Sequence, residues 1–263
     1  QLEEPMRALT VYTQGNTDFP IQPDMPAKEL KEQLEELASF ANTYGYNAIF
    51  FEAVPQMDAL YRSKLLPSSS VWTGGEGLFT FFDPLGYLVD EAKTYGIQVY
   101  ALVAPLSGAN GSIAQEHPDW FSDGFLDLSQ TQSLEFLGEV CQELTSNYDL
   151  GGIVFHRFEE NPTPTNQQIS AMEALFPQAK SQLAQDGQRL GVITSGDALT
   201  NPDGLDLVSQ PAASGTLDFV VPSYDNGAQP DPDLLSASLS AWQGLGLPYY
   251  PLHQVSDDNI FTH

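Results

Sequence analysis

A repeated pattern of helix, turn and apolar run constrains the fold of this chain more than any other feature. Three helical stretches end in Thr-Tyr-Gly or Asn-Tyr-Asp, and an apolar run follows each turn directly. The turns are 43–45, 94–96 and 147–149, and the runs are 46–54, 97–105 and 150–155. A glycine just past a helix adopts the left-handed cap conformation, and near-continuous apolar runs are typical of parallel strands covered by helices. The repeat therefore predicts strand–helix alternation and a parallel sheet.

Further segments extend the same pattern along the chain. The predicted strands are Met6–Thr13, Tyr46–Val54, Ile97–Pro105, Leu150–Phe155, Leu190–Thr194, Asp218–Pro222 and Leu247–Leu252. The predicted helices are Glu29–Tyr44, one that Asp83 and Pro84 open, Gln132–Asn147, Gln167–Gln185 and Pro232–Gly244. A TIM-type (β/α) barrel has ~250 residues, close to the 263 of this chain. We therefore expect one barrel domain over residues 1–263, with seven strands visible and the eighth unit missing or truncated.

Charge narrows the classes of partner. The chain has 9 Lys and Arg against 35 Asp and Glu, which gives a formal net charge of −26 at pH 7. Such a surface repels nucleic acid and anionic lipid, so we expect neither as a partner. It suits a neutral ligand, although a salty or secreted habitat also explains the excess of acid. No apolar run reaches the ~18 residues of a membrane span, and residues 1–5 do not resemble a signal peptide.

The lone cysteine, Cys141, excludes a disulfide within the chain. It lies on an apolar helical stripe with Leu134, Leu137 and Leu144. Because free cysteines are usually buried, we expect a core position for it.

Two long connections, Pro55–Phe82 and Leu106–Thr131, follow the second and third predicted strands. Both leave the carboxyl ends of strands, where parallel α/β folds place their sites. They carry the large rings of Tyr61, Trp72 and Trp120. Such rings either stack on sugar faces or pack the loops onto the sheet.

Several stretches resemble the glycosyl-hydrolase-like 10 family. They are Met6-Arg7-Ala8, the runs 46–52, 58–65, 73–77 and 82–85, and His117-Pro118-Asp119-Trp120. The Asp58-Ala59-Leu60-Tyr61 block is the most specific of them, and looser similarity reaches 250–253. The resemblance implies a bacterial glycosidase with a TIM-barrel catalytic domain, secreted or on the cell surface. It also makes Asp58 and Tyr61 either sugar contacts or residues that fix a loop.

The chain departs from the family where polar site residues are expected. Val54 stands where the family has an arginine, Ala104 where it has an asparagine, and Ser223 where it has a glutamine. The fourth strand, within 151–158, lacks the usual aspartates. The family's site residues therefore cannot be carried over directly.

Glycoside hydrolysis needs two carboxyl groups on either side of the bond that breaks, and one of them must hold a proton. The candidates at predicted strand ends are Glu52, Glu159, Glu160 and Asp225, with Asp197 a weaker one. Glu52 lies in a strongly apolar strand, where an acid is costly unless it has a partner. If they are not catalytic, we expect Glu159 and Glu160 to be solvated surface residues and Asp225 to cap a turn.

Other polar residues end predicted strands. His156 and Arg157 follow the fourth, Tyr224 the sixth and His253 the seventh. Arg157 placed among acids favours an ion pair or a substrate anchor. With Asp58, Tyr61, Trp72 and Trp120 they make up the predicted substrate-binding set. No spacing resembles a metal-ligand motif or a cofactor loop, so we expect no metal or cofactor.

We therefore predict a glycoside hydrolase that acts on a polysaccharide or oligosaccharide through an acid pair at strand carboxyl ends. Two alternatives stay open. The first is a carbohydrate-binding barrel that has lost hydrolysis, which the changed polar residues suggest. The second is a structural domain of a larger surface protein, which the missing eighth unit suggests. Serine hydrolase chemistry has no support because the chain has no G-x-S-x-G elbow.

Overall fold

A sheet of six parallel strands with helices packed on it forms the centre of the protein. The computed structural model describes residues 5–158, 166–196, 203–224 and 232–252. The strands are β1 (Ala8–Val11), β2 (Ala48–Val54), β3 (Gln98–Val103), the short β4 (Phe121–Ser122) and β5 (Phe125–Leu126), β6 (Gly152–Phe155), β7 (Arg189–Ser195) and β8 (Phe219–Ser223). The main sheet has the order β1-β2-β3-β6-β7-β8, and β4 and β5 form a separate antiparallel hairpin.

The order of the main sheet follows the chain, and every neighbouring pair is parallel. The register aligns Ala8 with Ala48 and then with Gln98, so the strands start level. All carboxyl ends consequently meet at one edge of a curled sheet. This confirms the predicted α/β class and strand–helix alternation. Among the described residues the sheet does not close into a full barrel.

The seventh predicted strand, Leu247–Leu252, is only partly regular. It lies beside β8 and makes two isolated parallel bridges, Val220 to Tyr249 and Ser223 to Leu252. The amide of Tyr250 donates to Val220 O at 3.0 Å, and that of Leu252 donates to Pro222 O at 2.8 Å. Proline has no amide hydrogen, and Pro222 of β8 stands between the two bridges, where its missing donor interrupts the ladder.

Helices alternate with the strands. They are α1 (Ala27–Thr43), α2 (Ser70–Thr73), α3 (Pro84–Thr94), α4 (Ser112–Glu116), α5 (Thr131–Asn147), α6 (Asn166–Ser181), α7 (Asp203–Ala213) and α8 (Pro232–Gln243). The five predicted helices are confirmed, although α6 ends four residues early. Helix α3 begins as its sequence predicts, because the Asp83 side chain accepts a hydrogen bond from Gly86 N at 3.0 Å.

The two faces of the sheet carry different cores. On the outer face the helices bury Leu34 and Leu37 of α1 and Leu88 of α3 against strand residues such as Phe51 and Val103. The inner face has its own cluster of buried residues: Ala48, Phe50, Tyr100, Leu102, Val154, Ile193, Phe219 and Val221. Because side chains alternate along a strand, residue 52 of β2 points to the same inner face as Phe50.

Cys141 is fully buried on α5, as its stripe predicts. Burial raises the pKa of its thiol to about 12. Within the described part of the chain, no helix is both long enough and apolar enough to cross a membrane.

Candidate functional site

Glu52 is the centre of a polar cluster at the carboxyl edge of the sheet. It belongs to β2, where all seven residues are buried, and its side chain is 0% exposed. The pairing of β2 with β3 shifts register between Glu52 and Val54. A buried carboxylate is costly unless donors replace the lost water, and the neighbouring elements supply them.

The first donors come from the turn after β1. Oε2 of Glu52 accepts from the backbone amides of Thr13 at 2.6 Å and Gln14 at 2.7 Å. The Thr13 hydroxyl lies 3.1 Å from the same oxygen and 2.9 Å from the Glu52 carbonyl. A single helical turn at Gln14–Asn16, with Gly15 in the left-handed region at φ 66°, aims these amides inward. Successive amides in such a turn form an anion-binding hollow.

The second set of donors comes from the residues after β6. Arg157 holds Nε and Nη2 each 3.0 Å from Glu52 Oε1, and His156 Nε2 lies 3.3 Å from the same oxygen. Arg157 has a φ of 64°, in the left-handed region. The ion pair expected for Arg157 is therefore present. Backbone amides thus donate to one carboxylate oxygen of Glu52, and the Arg157 guanidinium donates to the other.

Tyr12 packs over this pair. Its ring stacks on His156 with centroids 5.9 Å apart and planes 27° apart. The Arg157 guanidinium carbon lies 5.9 Å from the centre of the same ring. The Arg157 side chain is 22% exposed, whereas that of His156 is 2% exposed. Of these two side chains, Arg157 is therefore the one that a ligand can reach more easily.

Asp18 is a carboxyl group at this edge that the sequence analysis missed. Its Oδ2 accepts from the Tyr12 amide at 2.8 Å, so the successive amides of residues 12, 13 and 14 serve two carboxylates. Burial raises the pKa of Asp18 above its ordinary value, the Tyr12 hydrogen bond opposes this, and the charge of Glu52 adds to the rise. A half-buried acid with a raised pKa beside a second carboxylate is a site candidate. Its position after the first strand was the only sequence signal for it.

Asp58 lies in the loop after β2 and is also buried. Its Oδ1 accepts from the Gln56 amide at 3.0 Å. Burial raises its pKa to about 6; hydrogen bonds from Ser69 and Gln56 oppose the rise, and the charges of Glu76 and Glu52 add to it.

Tyr61 and Trp72 are packed into the protein. The Tyr61 hydroxyl donates to Glu143 at 3.1 Å, and its ring meets that of Tyr148 edge to face. The Trp72 indole donates to Ala59 O at 3.1 Å, and its ring is buried. In this structure both rings fix the long loop after β2, the second of the two roles that the sequence allows.

Trp120 and Tyr224 are partly exposed. Trp120 stacks on His117 with centroids 3.9 Å apart and planes 9° apart. The Tyr224 hydroxyl lies 3.1 Å from that of Ser238 on α8. Tyr224 follows β8 and Trp120 precedes β4, so both lie on connections that leave strand carboxyl ends.

The remaining predicted residues Glu159, Glu160, Asp197, Asp225 and His253 lie outside the described residues. Within the described ranges, no group of three or more His, Cys, Asp or Glu side chains is arranged to hold a metal ion.

No family model matches the chain. It is 26% identical over 193 residues to the glycosyl hydrolase DigH of Escherichia coli K12, a match over 62% of this chain and 44% of the relative. It is 23% identical over 167 residues to the glycosyl hydrolase YngK of Bacillus subtilis 168, over 58% and 33% of the two chains. The chain thus spans less than half the length of these relatives.

The glycoside hydrolase domain of PgaB (BpsB) from Bordetella bronchiseptica is similar in structure. The TM-score is 0.56 at 12% sequence identity, and the alignment covers 95% of this chain and 94% of that domain. At this identity the likeness shows a shared fold.

Proposed function

We propose that this chain belongs to a glycoside hydrolase that cleaves O-glycosidic bonds of a polysaccharide or oligosaccharide. The observation that carries the proposal is the sequence match, over 62% and 58% of the chain, to two relatives named as glycosyl hydrolases. The likeness to a solved glycoside hydrolase domain supports it. The polar cluster at the strand carboxyl ends supports it as well, because that edge is where parallel α/β folds place their sites.

The finer assignments are part of the same proposal. We infer that the six-stranded sheet belongs to a TIM-type barrel and that the chain is a member of the glycosyl-hydrolase-like 10 family. The chain-ordered parallel sheet supports the first. The Asp58–Leu65 block and the other matched stretches support the second. Secretion or display on a bacterial surface rests on that resemblance, and cell fractionation with a specific antibody tests it.

The site contacts suggest how the roles divide. Glu52 has no exposed surface, and donors surround both of its oxygens, so in this state it reaches a substrate only through Arg157. We assign it as a positioning residue that holds Arg157 toward the mouth of the site, where the guanidinium donates to sugar hydroxyls. Asp18 lies beside the Glu52 cluster, and burial raises its pKa, which suits it to hold a proton there.

The two-carboxylate mechanism then pairs a protonated acid with an ionised one. The acid gives its proton to the glycosidic oxygen as the bond to the anomeric carbon breaks. The ionised carboxylate attacks that carbon or takes a proton from the attacking water. Asp18, Glu159, Glu160 and Asp225 are the candidates for these two roles.

A panel of 4-nitrophenyl glycosides and reducing-end assays on oligosaccharides test the proposal. The single variants are Asp18→Asn, Glu159→Gln, Glu160→Gln and Asp225→Asn, and the matched control is Asp90→Asn, an exposed acid on α3. We expect two of the four to lower kcat by about 10³-fold or more with an unchanged melting temperature, within the range that carboxylate chemistry contributes. Full activity in all four contradicts the mechanism, and no turnover of any substrate by the parent chain contradicts the function.

The burial of Glu52 also favours a second candidate, a barrel that binds carbohydrate without cutting it. A carboxylate that no substrate atom reaches cannot act directly on the bond. A glycan array distinguishes the two functions: binding with no released product after long incubation supports the second, and product from a bound glycan supports the first.

A further inference from the structure

We propose that the loops after β1 and β2 form an accessory binding site for a neutral sugar unit, separate from the Glu52 cluster. The site is a cavity of about 240 Å³ with ten lining residues. They include Asp24, Trp72, Thr73, Leu78, Phe79 and Thr80. The proposal rests on the proposed function, because it identifies the ligand as part of the same carbohydrate substrate.

Phe79 lines the cavity, and the ring of Phe81 packs against it from outside the lining. Phe79 is 77% exposed and Phe81 is 85% exposed, and their rings meet edge to face at 4.8 Å and 86°. Leu78 beside them is 54% exposed. Contiguous apolar surface of this kind usually marks a contact site. Perpendicular rings with open faces offer flat apolar surfaces, which the C–H faces of a sugar ring can cover.

Polar groups complete the cavity. Asp24 is exposed, and its carboxylate has no hydrogen-bond partner among the described residues. Its backbone amide donates to Trp72 O at 3.0 Å, which fixes the residue against the second loop. Thr73 and Thr80 also line the cavity. The Thr73 hydroxyl donates to the backbone oxygens of Ser69 and Gly75, and the Thr80 hydroxyl accepts from the Phe82 amide. Carboxylates and hydroxyls beside an aromatic face match the mixed character of a sugar, which has apolar C–H faces and polar edges.

The cavity is built, like the Glu52 cluster, by segments at the carboxyl edge of the sheet. Its walls come from the segments that leave the carboxyl ends of β1 and β2. Asn16, next to the turn that binds Glu52, ties the two segments together, because its Nδ2 donates to Pro20 O at 2.8 Å and Val71 O at 2.7 Å. A glycan chain that leaves the main site can therefore continue across this surface.

The negative charge of the chain limits which ligands the cavity can bind. The chain carries a net charge of −26, and the cavity presents an aspartate, so an anionic ligand is repelled. Lys31, next in the chain to the lining residue Leu30, already lies over the rings of Tyr87 at 5.2 Å and Phe82 at 6.0 Å. A neutral, hydroxyl-rich ligand fits these groups.

Native gel electrophoresis through gels that contain polysaccharide tests the site without any need for hydrolysis. The probes are the neutral polymers galactomannan, xyloglucan and glycol chitin, with carboxymethylcellulose as the anionic comparison. The variant is Phe79→Ala with Phe81→Ala, and the control is Tyr44→Ala, which removes an aromatic ring that is 68% exposed at the opposite end of α1. Both phenylalanines are exposed, so the variant should fold, and circular dichroism checks this.

We expect at least one neutral polymer to retard the parent chain and the control. The double variant should bind that polymer with an affinity lower by a factor of about ten or more, as the loss of a phenylalanine contact implies. Equal retardation of the double variant and the parent overturns the proposal, and so does the absence of retardation by all three neutral polymers. A parent chain that sediments as a dimer, with a monomeric double variant, also overturns it, because the rings then bind a second copy.

The two proposals fail separately. Retardation that depends on Phe79 and Phe81 in a chain that cleaves no glycoside contradicts only the hydrolase. A chain that cleaves glycosides, and is retarded equally with and without the two rings, contradicts only the accessory site.

Discussion

Arg157 holds Nε and Nη2 at equal distances of 3.0 Å from one oxygen of Glu52, across a separation of 105 residues in the chain. The other carboxylate oxygen binds the amides of Thr13 and Gln14. One buried charge thus connects the ends of β1, β2 and β6.

Glu52→Gln should destabilise the protein. Removing one partner of a buried ion pair costs about 3–5 kcal/mol, and we expect the lower end because Arg157 is 22% exposed. Urea unfolding measures the loss. In a cycle with Arg157→Met, the double variant should cost about 0.5–3 kcal/mol less than the sum of the single variants. Additive losses would show that the two side chains do not interact.

Asp58 should make stability depend on pH. Its pKa is 3.8 in the unfolded chain and about 6 in the folded protein. Between these values the unfolded chain releases the proton while the folded protein keeps it, so stability falls as pH rises through this window and stays lower above it. The shift from 3.8 to about 6 corresponds to about 3 kcal/mol.

Asp58→Asn should remove this dependence. The asparagine keeps an acceptor for the Gln56 amide, so relative to the parent chain its free energy of unfolding should rise between pH 3.5 and pH 7.5, by about 3 kcal/mol at most. Urea unfolding at both values measures the difference, and Asp90→Asn serves as the exposed control. A constant difference between variant and parent contradicts the raised pKa.

Cys141 should be inert in the folded protein. Its side chain is buried, and burial raises the pKa of the thiol to about 12, so almost no thiolate exists at pH 8. Ellman's reagent should release no colour from the native chain and one equivalent of colour in 6 M urea. Rapid reaction without denaturant would place the thiol at the surface.

Asp83 should stabilise the start of α3 and a second contact. Its Oδ1 accepts from Gly86 N, and its Oδ2 accepts from the Tyr148 hydroxyl at 2.7 Å. Asp83→Ala should lower the free energy of unfolding by about 0.5–2 kcal/mol through loss of the cap. It should lower it by about 1 kcal/mol more because the Tyr148 hydroxyl loses its acceptor. Tyr148→Phe should cost less, since it leaves the cap intact, and Asp83→Asn should cost least. Thermal unfolding ranks the three, and equal losses would contradict the double role.

Much of the fold was predictable because local signals and tertiary packing agree. The turns at Gly45 and Gly96 take positive φ of 74° and 72°, as a glycine cap requires. The strands that follow them begin within two residues of the predicted positions. Helix α7 was not predicted, because Gly204 and Pro211 are poor helix residues, and packing of Leu207 and Val208 against the sheet outweighs them.

The site was harder to predict because its contacts join distant segments. The positions of Glu52 and Arg157 at strand ends were readable, and so was the need for a partner. The role of Thr13 and Gln14 was not, because it depends on backbone amides that carry no residue signature. Trp72 illustrates a second difficulty. The sequence around an aromatic residue in a loop is the same whether the ring faces a ligand or, as here, the protein interior.

The broken pairing of residues 247–252 bears on how the protein avoids self-association. The amides of Tyr250 and Leu252 point toward β8, so residues 249 and 251 point outward. Because residue 251 is proline, that outward row lacks a donor near the end of the segment. An exposed parallel edge is a template for strands of other molecules, and a proline there is a common protection. Among the described residues, Pro251 thus makes the outward edge of this segment a poor seed for intermolecular β-pairing.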